Sequence, residues 1–393
     1  MVNYIFATEE QKELVATARE ILEAELLPRI EEFESADEGR GVYPMEVHKI
    51  LAESGYFGMG IPEKWGGLEL DIVTQGLIIE EMGKIDCGFA FTFAGAGSYF
   101  DSILGTSMPD EEKQMWADRI MAGAMGCFAQ TEPNAGSDVA AMRTSAVQDG
   151  DEWVINGTKC FSSYAPNAEY FIVPAWTDKT QRASKGVTMF FVEKERGVQI
   201  GKKENKMGLH LSETSDVIFD DVRVPADHII GGVGEGFGKA LTFLGGSSAM
   251  INCAPNLGMA QAALDQSLEY AKERRQFGKR IVDQQAVGFM IADMKMRTEA
   301  SRAMLYEYLS AKRDGVECSE LEMTIKAFIT DATMKTTMDA VQVCGGYGYM
   351  KDYPFERYMR NAKIFQIFGG TNQIKRKNLI RKMAGRDPQA VRK

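Results

Sequence analysis

The sequence predicts an α+β fold with an N-terminal helical domain, a middle antiparallel β-domain and a C-terminal four-helix bundle. Three observations lead to this prediction. Apolar residues recur at helical spacing over the first ~120 residues. Short β-branched and aromatic runs separated by Gly, Asn, Asp and Lys follow from about residue 125. The helical period returns near residue 235, so we place the domains at residues 1–123, 124–234 and 235–393.

The N-terminal part is expected to be a succession of helices. The run ATEEQKELVATAREILEAELLPRIEEF is one amphipathic segment that Pro28 should kink, because proline has no amide to donate inside a helix. A second helix, in PMEVHKILAESG, is expected to end at Gly55. DIVTQGLIIEEMGK and the stretch from Asp86 to Leu104 follow as further helices, with Asp86 as a cap.

The middle and final parts differ in their periodicity. The runs GDEWVING, EYFIVPAW, GVTMFFVEK and SDVIFDDVRVP predict strands of an antiparallel sheet or a small barrel rather than a parallel sheet. The later stretches LGMAQAALDQSLEYAKERRQFGKR and LEMTIKAFITDATMKTTMDAVQVCGG suit the helices of a four-helix bundle.

Composition restricts the classes of partner. The formal net charge of −11 over 393 residues argues against nucleic acid as the main partner. No stretch reaches the ~18 apolar residues that a membrane span needs. The N-terminus lacks the basic and apolar segments of a secretory signal. The six cysteines are scattered singly, which favours free thiols in a reducing cytoplasm, and with only three histidines we expect no metal site.

Two motifs in the middle part indicate a ligand that is flat and carries phosphate. CFAQTEPNAGSD, residues 127–138, offers small residues and free backbone amides that suit such a ligand, although a plain turn between strands is an equal alternative. Further on, INGTKCFSSYAPNAEYFIV places Phe161 and Ser163 on one face of a strand, where a ring stacks and a hydroxyl reaches an edge atom.

The segment IFGGTNQIKRK begins the last helix. Thr371 is expected to be the N-cap, leaving amides that attract an anion. Gly369 and Gly370 remove two side chains beside this end of the helix.

Together, QTEPNAGSD, INGTKCF, ERRQFGKRI, QVCGGYGY and IFGGTNQI resemble the flavin- and CoA-related motifs of the acyl-CoA dehydrogenases, in the order and spacing of that family. The resemblance covers essentially the whole chain. It implies a homotetramer in which FAD lies between the β-domain and the bundle. It also implies an acyl-CoA substrate, hydride transfer to flavin N5 and electron-transferring flavoprotein as the redox partner.

The resemblance also assigns residues. Phe161 stands where the family has a tryptophan against the flavin, and Ser163 where a threonine bonds flavin N5. Residues that match the isoalloxazine contacts and the start of the thioester channel are Phe128, Gln130, Thr131 and Ser137. Residues that match contacts to a neighbouring subunit's FAD are Arg274, Phe277, Gln285, Gln342, Gly345 and Gly346. Thr371 and Gln373 match cofactor contacts at the last helix.

Taken singly, several of these residues have ordinary alternatives. Phe161 and Phe277 suit core aromatics, Arg274 a solvated helix charge, and Gly345–Gly346 a helix C-cap. The joint pattern favours the cofactor roles.

The usual catalytic base is missing from both positions that the family uses. Where the family commonly has a glutamate before Gly-Thr, this sequence has Gly369. Ser248 stands at the alternative position, with Ala249 where an arginine is usual. A positioned base contributes ~10²–10⁴-fold to such a reaction. The base is therefore displaced, the reaction does not remove this proton, or the chain binds flavin without turnover.

The predicted helix from Asp86 to Leu104 contains a candidate for a replacement base. Ala90, Ala94, Ser98 and Asp101 are spaced to share one helical face, which by resemblance borders the acyl cavity. We therefore name Asp101, at the far end of this cavity, as the candidate to act on a remote carbon or to bind a polar tail, with a surface or intersubunit carboxylate as the alternative. Small residues at 94–97, with Gly369 and Gly370, are expected to admit a bulky or cyclic acyl group such as cyclohexane- or cyclohexene-carboxyl-CoA. The alternatives are a non-oxidative lyase or desulfinase and an inactive FAD-binding subunit.

Overall fold

The first part of the chain is helical. The computed structural model describes residues 7–240 and 249–385 of the chain. The helices before the sheet are α1 (Glu9–Glu25), α2 (Ile30–Gly39), α3 (Met45–Glu53), α4 (Ile72–Ile85), α5 (Cys87–Ala96), α6 (Phe100–Leu104) and α7 (Asp110–Met121).

Local sequence signals explain where these helices begin and end. The break between α1 and α2 contains Pro28, as predicted. Gly55 follows α3 with φ +85°, a left-handed conformation that glycine adopts without steric cost. The Asp86 carboxylate accepts the amides of Gly88 and Phe89, both at 2.8 Å, and so caps α5. These predictions are confirmed.

The middle part is a seven-stranded sheet with the order β1-β4-β2-β3-β7-β6, and β5 pairs with β4 outside this path. The strands are β1 (Met125–Phe128), β2 (Ser145–Asp149), β3 (Glu152–Ser163), β4 (Ala168–Trp176), β5 (Val187–Glu193), β6 (Gln199–Lys203) and β7 (Thr214–Pro225). A short helix, α8 (Ala183–Gly186), precedes β5.

The prediction of an antiparallel sheet is correct for most pairs and wrong for two. β1 pairs with β4 in parallel from Met125↔Ala168 to Phe128↔Ile172, and β2 meets β4 in parallel at Ser145↔Trp176. A parallel pair needs a long connection instead of a tight turn. Residues 129–167, which include the β2–β3 hairpin, provide that connection.

The last part is helical again. A short π-helix, Ala249–Cys253, leads into the first long helix. The helices are α9 (Ala254–Glu273), α10 (Gln285–Arg313), α11 (Ser319–Cys344), α12 (Gly346–Tyr349), α13 (Phe355–Phe365) and α14 (Asn372–Met383). A two-stranded ribbon, β8 (Arg275–Gln276) with β9 (Lys279–Arg280), connects α9 to α10.

The N-terminal helices and the C-terminal helices share one hydrophobic core. Buried side chains of α4, such as Leu77 and Met82, belong to the same cluster as Met259 of α9. The two helices approach closely because both carry glycine at the crossing. A Cβ on Gly258 would lie 2.1 Å from the carbonyl oxygen of Glu80.

None of the helices in residues 7–240 and 249–385 combines the length and the apolar character that a bilayer crossing requires.

Candidate active site

The loop after β1 is built around a buried glutamate. The Glu132 carboxylate accepts the amides of Arg143 (2.5 Å) and Thr144 (3.0 Å) and pairs with the Lys159 ammonium (2.9 Å). Burial opposes ionisation of Glu132, but the Lys159 charge and these donors hold its pKa below the usual value. Backbone bonds between Glu132 and Ala135, at 3.1 and 3.0 Å, close a tight turn. The loop is therefore a tight turn that these buried bonds hold in place.

Two side chains beside this turn offer polar groups to a ligand. The Gln130 side chain is buried, and its Oε1 has no hydrogen-bond partner among residues 7–240 and 249–385. Thr131 is half-buried, and its carbonyl accepts the Cys160 amide at 2.7 Å. This bond places Thr131 next to the strand that carries Phe161.

Strand β3 is distorted where it carries the predicted flavin contacts. Its register against β7 shifts between Lys159 and Ser162, which is a β-bulge. Phe161 has φ +54°, a strained value for a bulky residue, and its side chain is 64% exposed. The alternative that Phe161 is a core aromatic is therefore wrong.

Phe161 and Ser163 lie together in a cleft of about 320 Å³. The segment from Glu204 to Leu209 also lines this cleft, together with Ile364, Ile367 and Phe368. The Phe368 ring stacks on Phe91 with centroids 4.7 Å apart. The cleft thus separates the sheet from the end of α13, and it has aromatic side chains on both sides.

A second group of predicted residues lines a different cavity of about 710 Å³. Arg274, Phe277, Gly345 and Gly346 all face it. Phe277 is 94% exposed, so it is not a core aromatic. A Cβ on either glycine would meet no heavy atom within 4 Å, which leaves the backbone open to close approach.

The remaining predicted residues lie at less enclosed positions. Thr371 caps α14, as predicted, by accepting the Ile374 amide at 3.1 Å. Phe128 is half-buried at the end of β1. Ser137, Gln285, Gln342 and Gln373 are exposed in the isolated chain.

The loop that lacks the glutamate faces an asparagine. Gly369 and Gly370 have φ values of +61° and +80°. A Cβ on Gly369 would lie 2.8 Å from Nδ2 of Asn252, and one on Gly370 would lie 3.7 Å from Cε of Lys375. Ser248, at the alternative base position, lies outside the described residues.

Carboxylates near this loop are already engaged. Asp331 accepts from Arg376, Gln366 and Asn372, which together keep its pKa low despite desolvation. Glu322 lies 3.7 Å from the Lys375 ammonium. The lowered pKa makes Asp331 a poor base.

Asp101 does not share a helical face with Ala94 and Ser98, so this prediction is wrong. Helix α5 ends at Ala96, and Asp101 lies in the first turn of the separate helix α6. Ala94 is buried in the core shared by the helical parts, whereas the buried residues of α6 pack with Trp116 and Tyr170. Ser98 and Asp101 are exposed. Nearby protein atoms still desolvate the Asp101 carboxyl and raise its pKa.

The small residues at 94–97 are matched by large neighbours. A Cβ on Gly95 would lie 2.1 Å from the hydroxyl of Tyr164, and one on Gly97 would lie 3.2 Å from the Phe57 ring. The expected space along this stretch is therefore occupied at these two positions. Burial raises the pKa of Tyr164 well above its usual value, so its phenol is not a base.

Comparison with protein families agrees with this architecture. Residues 8–124, 127–222 and 234–384 match the N-terminal, middle and C-terminal domains of acyl-CoA dehydrogenase, respectively. The chain belongs to the acyl-CoA dehydrogenase family. It is an oxidoreductase of the acyl-CoA dehydrogenase type, and the predicted fold is confirmed.

The similarity to individual relatives extends over nearly the whole chain. The structure of butyryl-CoA dehydrogenase from Megasphaera elsdenii is 35% identical, with a TM-score of 0.91, and the match covers 96% of this chain and 99% of that one. Cyclohex-1-ene-1-carbonyl-CoA dehydrogenase of Syntrophus aciditrophicus is 39% identical, over 94% and 88% of the respective chains. A chain in the structure reported as electron transferring flavoprotein of Acidaminococcus fermentans is 39% identical, covering 97% and 99%, with a TM-score of 0.91.

The dehydrogenase uses FAD, and the residues present fit that cofactor. The unpartnered Oε1 of Gln130 suits a flavin N–H donor, and the cleft lined by Phe161 and Phe368 suits a flat ring. Arg274 beside the open backbone of Gly345 and Gly346 suits a pyrophosphate.

Two features of the site were not predicted from the sequence. The Glu132–Lys159 pair joins residues 27 apart, and neither spacing nor motif indicates that they meet. Asn252 was not predicted, because the residue type that indicates a base in this segment is a carboxylate. Its polar side chain among the apolar residues of TFLGGSSAMINCA was the available signal.

Proposed function

We propose that this dehydrogenase oxidises a bulky or cyclic acyl-CoA thioester, such as cyclohexane- or cyclohexene-carboxyl-CoA, with its base displaced from the usual loop. The observation that carries the proposal is the cleft between the sheet and the end of α13. Phe161 and Ser163 line it from the sheet, and Phe368 lines it from the segment after α13. Bound there, FAD supplies an acceptor for the hydride that leaves the acyl chain.

The residues of the cleft orient the cofactor and the substrate in this proposal. Phe161 stacks on the ring, and its strained backbone keeps the side chain out of the core. The hydroxyl of Ser163 donates to flavin N5, while Gln130 and Thr131 bond the polar edge of the ring. Ser137 lies at the start of the thioester channel, and Thr371 and Gln373 present the N-terminal end of α14 to the cofactor.

Asp101 is the proposed base on electrostatic grounds rather than on a shared helical face. Its pKa is raised by desolvation, and within the described residues it has no ion-pair partner. Glu322 and Asp331, in contrast, are held by cations. An unpaired carboxylate with a raised pKa is a better proton acceptor near neutral pH.

Support for a bulky acyl group comes from the glycine loop and from one relative. Gly369 and Gly370 place no side chain over the thioester end of the proposed acyl site, and Ala94 is small. The relative from Syntrophus aciditrophicus is named for a six-membered-ring substrate and is 39% identical. The positions at Gly95 and Gly97 are occupied, and Asn252 occupies the space beside Gly369, so the support for extra room rests on Gly370, whose Cβ would meet only Cε of Lys375 at 3.7 Å.

The second cavity supports an oligomer, which we propose to be a homotetramer. Phe277, 94% exposed, and Tyr347, 50% exposed, leave an aromatic surface uncovered beside Arg274. In the proposed assembly this surface, with Gln285, Gln342, Gly345 and Gly346, contacts the FAD of a neighbouring subunit.

Electron-transferring flavoprotein is the proposed redox partner. Support comes from the structure reported as electron transferring flavoprotein of Acidaminococcus fermentans, which contains a chain similar to this one. The cytoplasm is the proposed location, because the cysteines Cys87, Cys127, Cys160, Cys253, Cys318 and Cys344 are all free thiols.

An anaerobic screen of acyl-CoA esters against the FAD-loaded protein tests this function. Bleaching of the flavin by cyclic esters supports the proposal. Product formation with the flavin left oxidised supports a lyase, and tight binding without either change supports an inactive subunit.

A further inference from the structure

An asparagine near the start of α9 is buried without partners. Asn256 has no solvent exposure, and neither its Nδ2 nor its Oδ1 finds a hydrogen-bond partner among residues 7–240 and 249–385. Its backbone carbonyl is occupied, because the Thr333 hydroxyl donates to it at 3.4 Å. A buried carboxamide without partners is unfavourable unless another molecule bonds to it.

The position of Asn256 on the helix indicates the direction of its side chain. Gly258 marks the face against α4, since a Cβ there would lie 2.1 Å from the Glu80 carbonyl oxygen. Asn256 is two residues away, or about 200° around the helix, so it points away from α4. Asn252 lies in the π-helix that leads into α9, and Asn256 follows it by four residues, so the two residues project on nearly the same side.

That face begins at the glycine loop. Asn252 is buried, and its Nδ2 is the heavy atom nearest to a Cβ placed on Gly369. Under the proposed function, Gly369 lies beside the thioester end of the acyl group. Asn256 lies about 6 Å further along the helix axis. The start of this helical segment therefore carries two carboxamides, one beside Gly369 and one further along the axis.

We infer that the acyl group of the substrate carries a polar substituent, a hydroxyl or a carbonyl, that hydrogen-bonds to Asn256. This inference rests on the proposed function and narrows its substrate class. A purely hydrocarbon acyl group would leave both polar atoms of Asn256 unpaired. The spacing of about 6 Å between the two asparagines suits a hydroxyl or oxo group on the far side of a six-membered ring. Asn256 is thus a specificity-determining residue.

The test compares two esters that differ only in that substituent. Cyclohexanecarbonyl-CoA and 4-hydroxycyclohexanecarbonyl-CoA are titrated by calorimetry into holoenzyme whose flavin has been reduced beforehand, which prevents turnover. We expect the wild-type protein to bind the hydroxylated ester about tenfold more tightly. Asn256→Leu should abolish or reverse this preference. Gln266→Leu is the matched control on α9, because its amide already donates to Tyr358 at 2.8 Å.

The melting temperature separates a ligand contact from a structural role. Replacing an unpaired buried amide with leucine should raise the melting temperature of the ligand-free holoenzyme, whereas a fall would overturn the inference. Equal binding of the two esters by the wild-type protein would also overturn it, even if Asn256→Leu does not fold. If both esters then bleach the flavin of the oxidised holoenzyme in a separate assay, the proposed function stays intact. Tighter binding of the hydroxylated ester without bleaching by either would support the inference and contradict the proposed function.

Discussion

The carboxamide of Asn252 occupies the space that a side chain on Gly369 would enter. A Cβ at Gly369 would lie 2.8 Å from its Nδ2 and 3.3 Å from its Cγ. Real Cβ atoms essentially never approach so closely, so one of the two groups would have to move. The asparagine therefore limits which side chains position 369 can carry.

This limit predicts that a carboxylate cannot be restored by one substitution. Gly369→Glu should fold poorly and retain little FAD, because the new side chain meets Asn252 and the φ of +61° disfavours any residue with a Cβ. Asn252→Ala combined with Gly369→Glu should retain FAD and gain dehydrogenation of a small ester such as butyryl-CoA. Flavin content and anaerobic bleaching measure both effects. Equal behaviour of the single and double variants would mean that Asn252 is not the obstacle.

The strained ring on β3 predicts a selective effect on cofactor binding. Phe161→Ala removes a stacking partner worth about 0.5–1.5 kcal/mol, so FAD should bind up to about tenfold more weakly. Phe161→Trp should bind FAD as tightly as the wild-type protein. Phe328→Ala, which truncates another exposed aromatic residue, on α11, is the control. Unchanged FAD affinity in Phe161→Ala would remove the ring from the cofactor site.

Asp101 can be tested without disturbing the fold, because its side chain is exposed. Asp101→Asn should lower turnover ~10²–10⁴-fold while FAD content stays normal. Asp110→Asn, at another exposed aspartate in the first turn of a helix, should change neither quantity. Near-normal turnover in Asp101→Asn would leave Asp101 as a surface carboxylate.

What the sequence could predict depended on whether the signal was local. Pro28, Gly55, Asp86 and Thr371 act on the backbone within a few residues, so the ends of their helices were predictable. The parallel pairing of β1 with β4 depends on a connection of some forty residues and left no local pattern. Asp101 was misplaced because Gly97 ends α5, a break that a periodic spacing of small residues conceals.

The site followed the same rule. Six of the expected residues line two cavities, namely Phe161 and Ser163 in one and Arg274, Phe277, Gly345 and Gly346 in the other, since a motif preserves local geometry. Contacts between distant segments, such as Asn252 with Gly369 and Tyr164 with Gly95, are set by packing and had no counterpart in any one segment.

A buried histidine predicts how stability depends on pH. In α3, His48 contacts the Tyr43 hydroxyl at 2.9 Å and the Gly123 carbonyl at 2.8 Å, and burial lowers its pKa to about 4. Between pH 6.5 and 4 the unfolded chain therefore binds the proton that the folded chain excludes. The contribution of His48 to the free energy of unfolding is fully present above pH 6.5, and it falls by roughly 3 kcal/mol as the pH approaches 4.

Denaturant unfolding at a series of pH values checks this slope. Carboxyl groups titrate in the same range in any variant, so the difference between wild type and His48→Gln isolates the histidine. The difference in unfolding free energy should shrink as the pH falls. Parallel profiles for the two proteins would show that His48 does not titrate as described.

The central claim is that this dehydrogenase still oxidises an acyl-CoA although its usual base position is Gly369. The most direct measurement adds cyclohexanecarbonyl-CoA to the FAD-loaded protein without oxygen and follows both the flavin absorbance and the mass of the thioester. We predict that the flavin bleaches and that the thioester loses two hydrogens. Flavin that stays oxidised with every cyclic ester, while the ester remains bound or is cleaved, would contradict the claim.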